Sequence, residues 1–148
     1  MEINFTKKEY RALLDILTIA DWVLNANKVE KDPETEEYRL LEHKLFSHAE
    51  KMGFENLIEY DPKLERYFPT QEYDETSKAM DFIDEFENDS FWEELIHRLV
   101  ERDIVKQEGG IENVVKLSLE ERLTKEAPLE EMYAKELEIN GLNNLKID

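Results

Sequence analysis

Cysteine is absent from this chain of 148 residues, and glycine and proline occur only four times each. The first absence excludes disulfide frameworks, thiolate nucleophiles and cysteine-ligated zinc. The second leaves too few turn-forming residues for an all-β sandwich or barrel. Long apolar runs are missing too: the most apolar segment, Ala12 to Leu24, is interrupted by Asp15 and Asp21 and is too short to span a bilayer. Met1 to Thr6 carries no basic stretch followed by an apolar one, so no export signal is expected and the reading is cytoplasmic. Positive charge is scarce, with 19 basic against 37 acidic residues and a formal charge of −18.

The acidic excess is concentrated. Residues 1–28 are balanced, whereas 59–94 hold 13 acids against Lys63, Arg66 and Lys78. Binding to phosphate backbones needs Lys and Arg to release condensed counterions, so neither nucleic acid nor an anionic membrane is expected as a partner. A basic protein would be attracted. The hydrophobic fraction of 41% is enough for a folded core, so disorder is not expected.

The patterning predicts a mainly α fold: a single acidic domain over residues 1–148, a bundle-like array of five or six helices with at most two or three very short strands. Thr6 and Glu9 read as a capping box opening a helix at Lys7, which should end near Asn25 to Asn27. Two apolar stripes on it, Tyr10/Leu13/Leu14/Leu17/Leu24 and Ala12/Ile16/Ile19/Val23, predict a central helix. Asp32 as cap and Pro33 in the first turn open a second helix ending at Gly53, with Tyr38, Leu41, Leu45, Ala49 and Met52 inward. Residues 54–69 read as turns at Asp61–Pro62 and Phe68–Pro69 around a short helical segment.

A third helix is expected from Glu72 to Glu87, with Ala79, Met80, Ile83 and Phe86 inward. Ser90 and Glu93 read as a new capping box opening a fourth, which closes at Gly109–Gly110 with Trp92, Leu95, Ile96, Leu99 and Asp103 on one face. Ser118 and Glu121 repeat the motif for a fifth, kinked or split at Pro128 and ending at Asn140–Gly141. Candidate strands are Glu2–Phe5, Val114–Leu117 and Leu142–Ile147.

The block Phe91 to Asp103 (FWEELIHRLVERD), with Ala20 to Ala26 (ADWVLNA), resembles a set of small uncharacterised bacterial proteins. That resemblance covers roughly half of the chain and implies a bacterial cytosolic origin, with no activity attached.

No catalytic residue or cofactor is predicted: there is no Ser-His-Asp order, phosphate-cradling glycine loop or dinucleotide fingerprint. Glu94 and His97 have the Glu-x-x-His spacing that di-metal bundles use, and are the candidate metal ligands; neither His43 nor His48 has a glutamate three residues before it, although Glu42 or Glu50 could add a single ligand. The run from Asp81 to Asp89 lacks the alternating ligands and the glycine of a calcium loop. Asp21 and Asp103 are candidate buried carboxylates, read as structural partners of Arg98, Arg102 or an indole. Leu99 to Leu119 resembles the recognition helix and wing of winged-helix repressors, but its charge balances to zero, against DNA binding. Asp74, Glu75, Asp81, Asp84, Glu85, Glu87 and Asp89 are the candidate partner-binding set: carboxylates at helical spacing can occupy a basic groove.

Overall fold

Thr6 opens the first helix, α1 (Lys7–Asn25), through the reciprocal capping box expected: its hydroxyl accepts from the Glu9 amide, and the Glu9 carboxylate accepts from the Thr6 amide at 2.8 Å. A computed structural model describes residues 2–28 and 32–146. Contacts divide the chain into two compact units, 1–84 and 85–148. Six helices, one 3₁₀ turn and one two-stranded sheet make up the described residues, a mainly α fold with two short strands as expected.

In the first unit, α1 buries Tyr10 and Leu14 against Phe46, Ala49, Leu57, Ile58 and Tyr73. Its second apolar stripe faces solvent, with Ile16 60% and Val23 71% exposed, so the expectation of a helix apolar on most sides and central is corrected. Asp32 and Pro33 form a turn and not a helix start. The Asp32 carboxylate is taken by Lys28 at 2.6 Å and by the Glu34 amide at 2.9 Å, leaving α2 (Glu36–Phe46) to begin after Thr35. A 3₁₀ turn (Glu50–Met52) follows, and Gly53, at φ +74°, ends it in a Schellman arrangement, Gly53 N–H to Glu50 C=O and Phe54 N–H to Ala49 C=O.

The segment expected to be helical between the two proline turns is a hairpin: β1 (Ile58–Asp61) pairs antiparallel with β2 (Arg66–Pro69), Ile58 opposite Pro69 and Asp61 opposite Arg66. The Asp61 carboxylate accepts from the Lys63 and Leu64 amides, which turns the chain at Pro62 as anticipated. The rings of Tyr60 and Tyr67, opposite each other, pack with centroids 4.9 Å apart, tilted by 53°. The Tyr67 amide donates to His43 Nδ1 at 3.4 Å, joining the hairpin to α2.

Thr70 caps the short α3 (Gln71–Thr76), and Ser77 breaks the expected third helix by turning extended. From Ala79 the chain forms one helix of 30 residues, α4 (Ala79–Glu108). Ser90 therefore lies inside a helix, and the expected start at Phe91 is corrected: no glycine or proline occurs between Ala79 and Glu108 to stop the ladder, so the capping signature has no end to cap. Ala79 and Ile83 are buried, while Phe86 is 67% exposed and not inward.

In the second unit, α4 stops where predicted. Gly109, at φ +75°, lets the Gly110 amide reach the Val105 carbonyl. The following residues form the short helix α5 (Ile111–Val114) and turns, so both the expected Val114–Leu117 strand and the winged-helix wing are absent from this stretch. Ser118 and Glu121 complete the capping box of α6 (Leu119–Asn140). That helix runs unbroken through Pro128: the proline and the Thr124 carbonyl it leaves without a donor are both exposed, where water can serve. Gly141 ends it as expected. Neither Glu2–Phe5 nor the described part of Leu142–Ile147 is a strand; the latter makes turns through Leu145, and Ile147 lies outside the described residues. Val100, Ile104 and Val114 form this unit's core, with Ile96, Val105, Leu129 and Tyr133 packed around it.

Candidate functional site

The face that α2 turns inward is the reverse of what its composition predicts. Tyr38 and Leu41 are 60% and 53% exposed, while Arg39 and Glu42 are half-buried and Thr35 is buried. Thr35, Arg39, Glu42 and Phe46 recur at helical spacing, so they share one face. That face, with Asp21 of α1 and Arg66 to Pro69 of β2, encloses a cavity of about 320 Å³. A second, apolar slot of about 160 Å³ is lined by Leu17, Ala20, Leu24, Tyr38 and Leu41, and shares Asp21, Arg39 and Glu42 with the first.

Around the main cavity the charged groups divide into committed and uncommitted ones. Lys28 is held by Asp32, and Arg39 forms an ion pair with Glu36. Among the described residues, Asp21 accepts only from the Asn25 amide, at 2.7 Å, and meets no cation in an ion pair. Glu42 makes no hydrogen bond or ion pair with any described residue, and the Arg66 guanidinium has only the Phe68 ring, 5.8 Å away. Burial, and then the Asp21 charge, push the Glu42 carboxyl up to about 7, against the opposing pull of Arg66 and Arg39. A carboxyl so placed changes its charge near neutrality, as functional carboxyls do. Sequence reasoning weighed Glu42 only as a lone metal ligand and passed over Arg39 and Arg66.

Asp21, expected inside, is exposed on the rim of this cavity, a correction that follows from the solvent-facing turn of α1 on which it sits. The α1 carboxylate that does reach inward is Asp15, which accepts from Arg11 at 2.5 Å, Ser77 at 2.6 Å and Tyr73 at 3.0 Å. Tyr73 also bonds Thr18, and its ring lies beneath the Arg11 guanidinium. Polar residues at 11, 15 and 18 share a helix face, a signal that sequence reading could have used. Asp103 is partly buried, held by Arg102 at 2.9 Å and by the Tyr133 hydroxyl, and these bonds keep its carboxyl below the ordinary range.

Glu94 and His97 are exposed on neighbouring turns of α4, and Arg98 occupies the Glu94 carboxylate at 2.6 Å. No group of three or more metal-ligating side chains converges among the described residues. Asp74, Glu75, Asp81, Asp84, Glu85, Glu87 and Asp89 are all exposed. Glu75 accepts from Gln71 and Asp89 from Asn88, and the ion pairs of the described residues involve none of Asp74, Glu75, Asp81, Asp84, Glu85 and Asp89. Phe82 and Phe86 are 53% and 67% exposed among them. No helix among the described residues is long and apolar enough to cross a membrane.

Comparison of the chain with protein-family models, with curated proteins and with solved structures finds no match.

Proposed function

We propose that the protein is a non-enzymatic cytoplasmic interaction or regulatory protein that engages a basic partner through the first turns of α4. The observation that carries this reading is an aromatic pair, Phe82 and Phe86, exposed one turn apart and interleaved with Asp81, Asp84, Glu85 and Asp89, which no cation among the described residues neutralises in an ion pair. Exposed aromatics supply the desolvated anchor of an interface, and charge around them steers the encounter and selects its sign. A charged face that served solubility alone would have no need of two uncovered phenyl rings.

The test uses a lysine-rich amphipathic helical peptide as probe. Binding is expected to weaken about tenfold or more when Asp81, Asp84, Glu85 and Asp89 are replaced by their amides, and to weaken again in Phe82→Ser. Raising the salt to about 0.5 M should act in the same direction as the amide replacements, because it shortens the reach of exposed charges. Affinity unchanged by the amide replacements would end the proposal.

A further inference from the structure

We propose that the cavity between α1, α2 and the hairpin binds a small zwitterion with an apolar tail, an ammonium beside Asp21 and Glu42, a carboxylate on Arg66, and the tail in the adjoining slot. Turning Arg39 and Glu42 inward while Tyr38 and Leu41 stay exposed runs against the burial preference of all four side chains. Places where a fold breaks its own patterning are where function is expected.

The uncommitted groups define the ligand's chemistry. Lys28, Asp32, Arg39 and Glu36 cancel in pairs, which leaves two carboxyl groups and one guanidinium facing the same space. A pure anion would meet Asp21, and a pure cation would leave Arg66 without a partner. A molecule with both charges satisfies all three, and the planar fork of Arg66 suits a carboxylate. The apolar slot reaches the same Asp21 and Glu42, so a tail attached near the ammonium has a place to go. The main cavity, about 320 Å³, lies at the small end of the range for ligand sites, as an amino-acid-sized molecule requires.

Among the described residues, the ionisable groups around Glu42 are Asp21 from α1, Lys28 and Asp32 between α1 and α2, Arg39 from α2 and Arg66 from the hairpin, with His43 one residue further along α2. The ligand brings two new charges: its carboxylate goes to Arg66, and its ammonium, set directly beside Glu42, is the nearer of the two and favours the ionised carboxylate. The proton leaves Glu42 for the buffer, so binding below neutrality should release protons.

L-Leucine, isopentylamine and 4-methylpentanoate separate the possibilities, since the last two each lack one of leucine's charges. Calorimetric titration of the full chain is expected to show leucine binding at least about tenfold more tightly than either. In buffers of different ionisation heat at about pH 6, leucine binding to the wild type should release protons, and Glu42→Gln should abolish the release. Arg66→Gln should bring leucine down to the affinity of the amine, and Asp21→Asn should weaken it severalfold; both side chains are at the cavity's edge, and a circular dichroism melt confirms that each variant is folded. If 4-methylpentanoate or isopentylamine binds as tightly as leucine, or none of the three binds at roughly 10 mM, the proposal is overturned. These outcomes do not involve α4, so they stand or fall separately from the partner-binding reading.

Discussion

The two units hold themselves together differently. Residues 1–84 draw their core from α1, α2, the segment leading into β1, and α3, and add a polar network in which Asp15 gathers Arg11, Tyr73 and Ser77. Residues 85–148 rest on the cluster Val100, Ile104 and Val114, with Leu129 and Tyr133 of α6 against it and Leu99 and Leu137 also buried, and leave Ile111, Val115, Leu119, Leu123 and Ile139 exposed. Their remaining support mixes local pieces, a capping box and the ion pairs Arg122–Glu126 and Lys135–Glu131 one turn apart, with ties between α4 and α6, Lys125 on Glu108 and the Tyr133 hydroxyl on Asp103. The first unit has the larger buried core, while the second has a thinner one to which its helices add their own local stabilisation.

The sharpest way to break this contrast is to empty each core in turn. Leu14→Ala removes a side chain with no exposure from the larger cluster and should cost about 4 kcal/mol. Ile104→Ala, 1% exposed in the smaller cluster, should cost about 3 kcal/mol, because a thin core collapses more readily around a cavity. Urea unfolding of both variants gives the order, and a larger loss at Ile104 would overturn the comparison.

Next comes the one place where the first unit holds a group against its nature. A glutamate in the unfolded chain ionises near its ordinary value of 4.5, and Glu42 in the fold near 7. Between these values the unfolded chain loses a proton that the folded chain keeps, so stability falls as pH rises through that window and levels off above it. Glu42→Gln should therefore gain about 2 kcal/mol over the wild type at about pH 8 and nothing at about pH 4. Denaturant midpoints across this range measure it, and a gain independent of pH would contradict the assigned cause.

Smaller effects test the polar network and the caps. Tyr73→Phe deletes a hydroxyl shared between Asp15 and Thr18 and should cost about 1.5 kcal/mol by thermal unfolding. Ser118→Ala, which removes a working cap, should cost about 1 kcal/mol, whereas Ser90→Ala, inside α4, should gain a few tenths of a kcal/mol. Equal losses at the two serines would mean that the helix does stop near Ser90.

That last pair shows what was legible. Thr6 and Ser118 announced helix starts correctly, because capping is chemistry among four neighbouring residues. Ser90 carried the same letters and opened nothing, since a cap needs an interrupted ladder and nothing between Ala79 and Glu108 interrupts it. Gly109 and Gly141 marked helix ends faithfully, each at positive φ, whereas Gly53 ends a 3₁₀ turn, the helix expected to reach it having stopped at Phe46. The hairpin escaped because two four-residue strands are too short to show alternation, although Asp61–Pro62 did mark its turn. Exposure of the acidic set could be read from its helical spacing and charge. The cavity could not, because Glu42 and Arg66 are 24 positions apart and meet only once the hairpin lies against α2.

One consequence of α4 concerns how the molecule can be taken apart. The boundary between the units falls at Asp84–Glu85, in the interior of a helix that by its residue count is about 45 Å long. Severing the chain there would expose four amide hydrogens on one fragment and four carbonyls on the other, with neither a glycine nor a capping hydroxyl at the cut to receive them. A fragment of the second half would therefore start best at Asp84, whose carboxylate can cap the new helix end, whereas the first half has no residue there to receive its freed carbonyls.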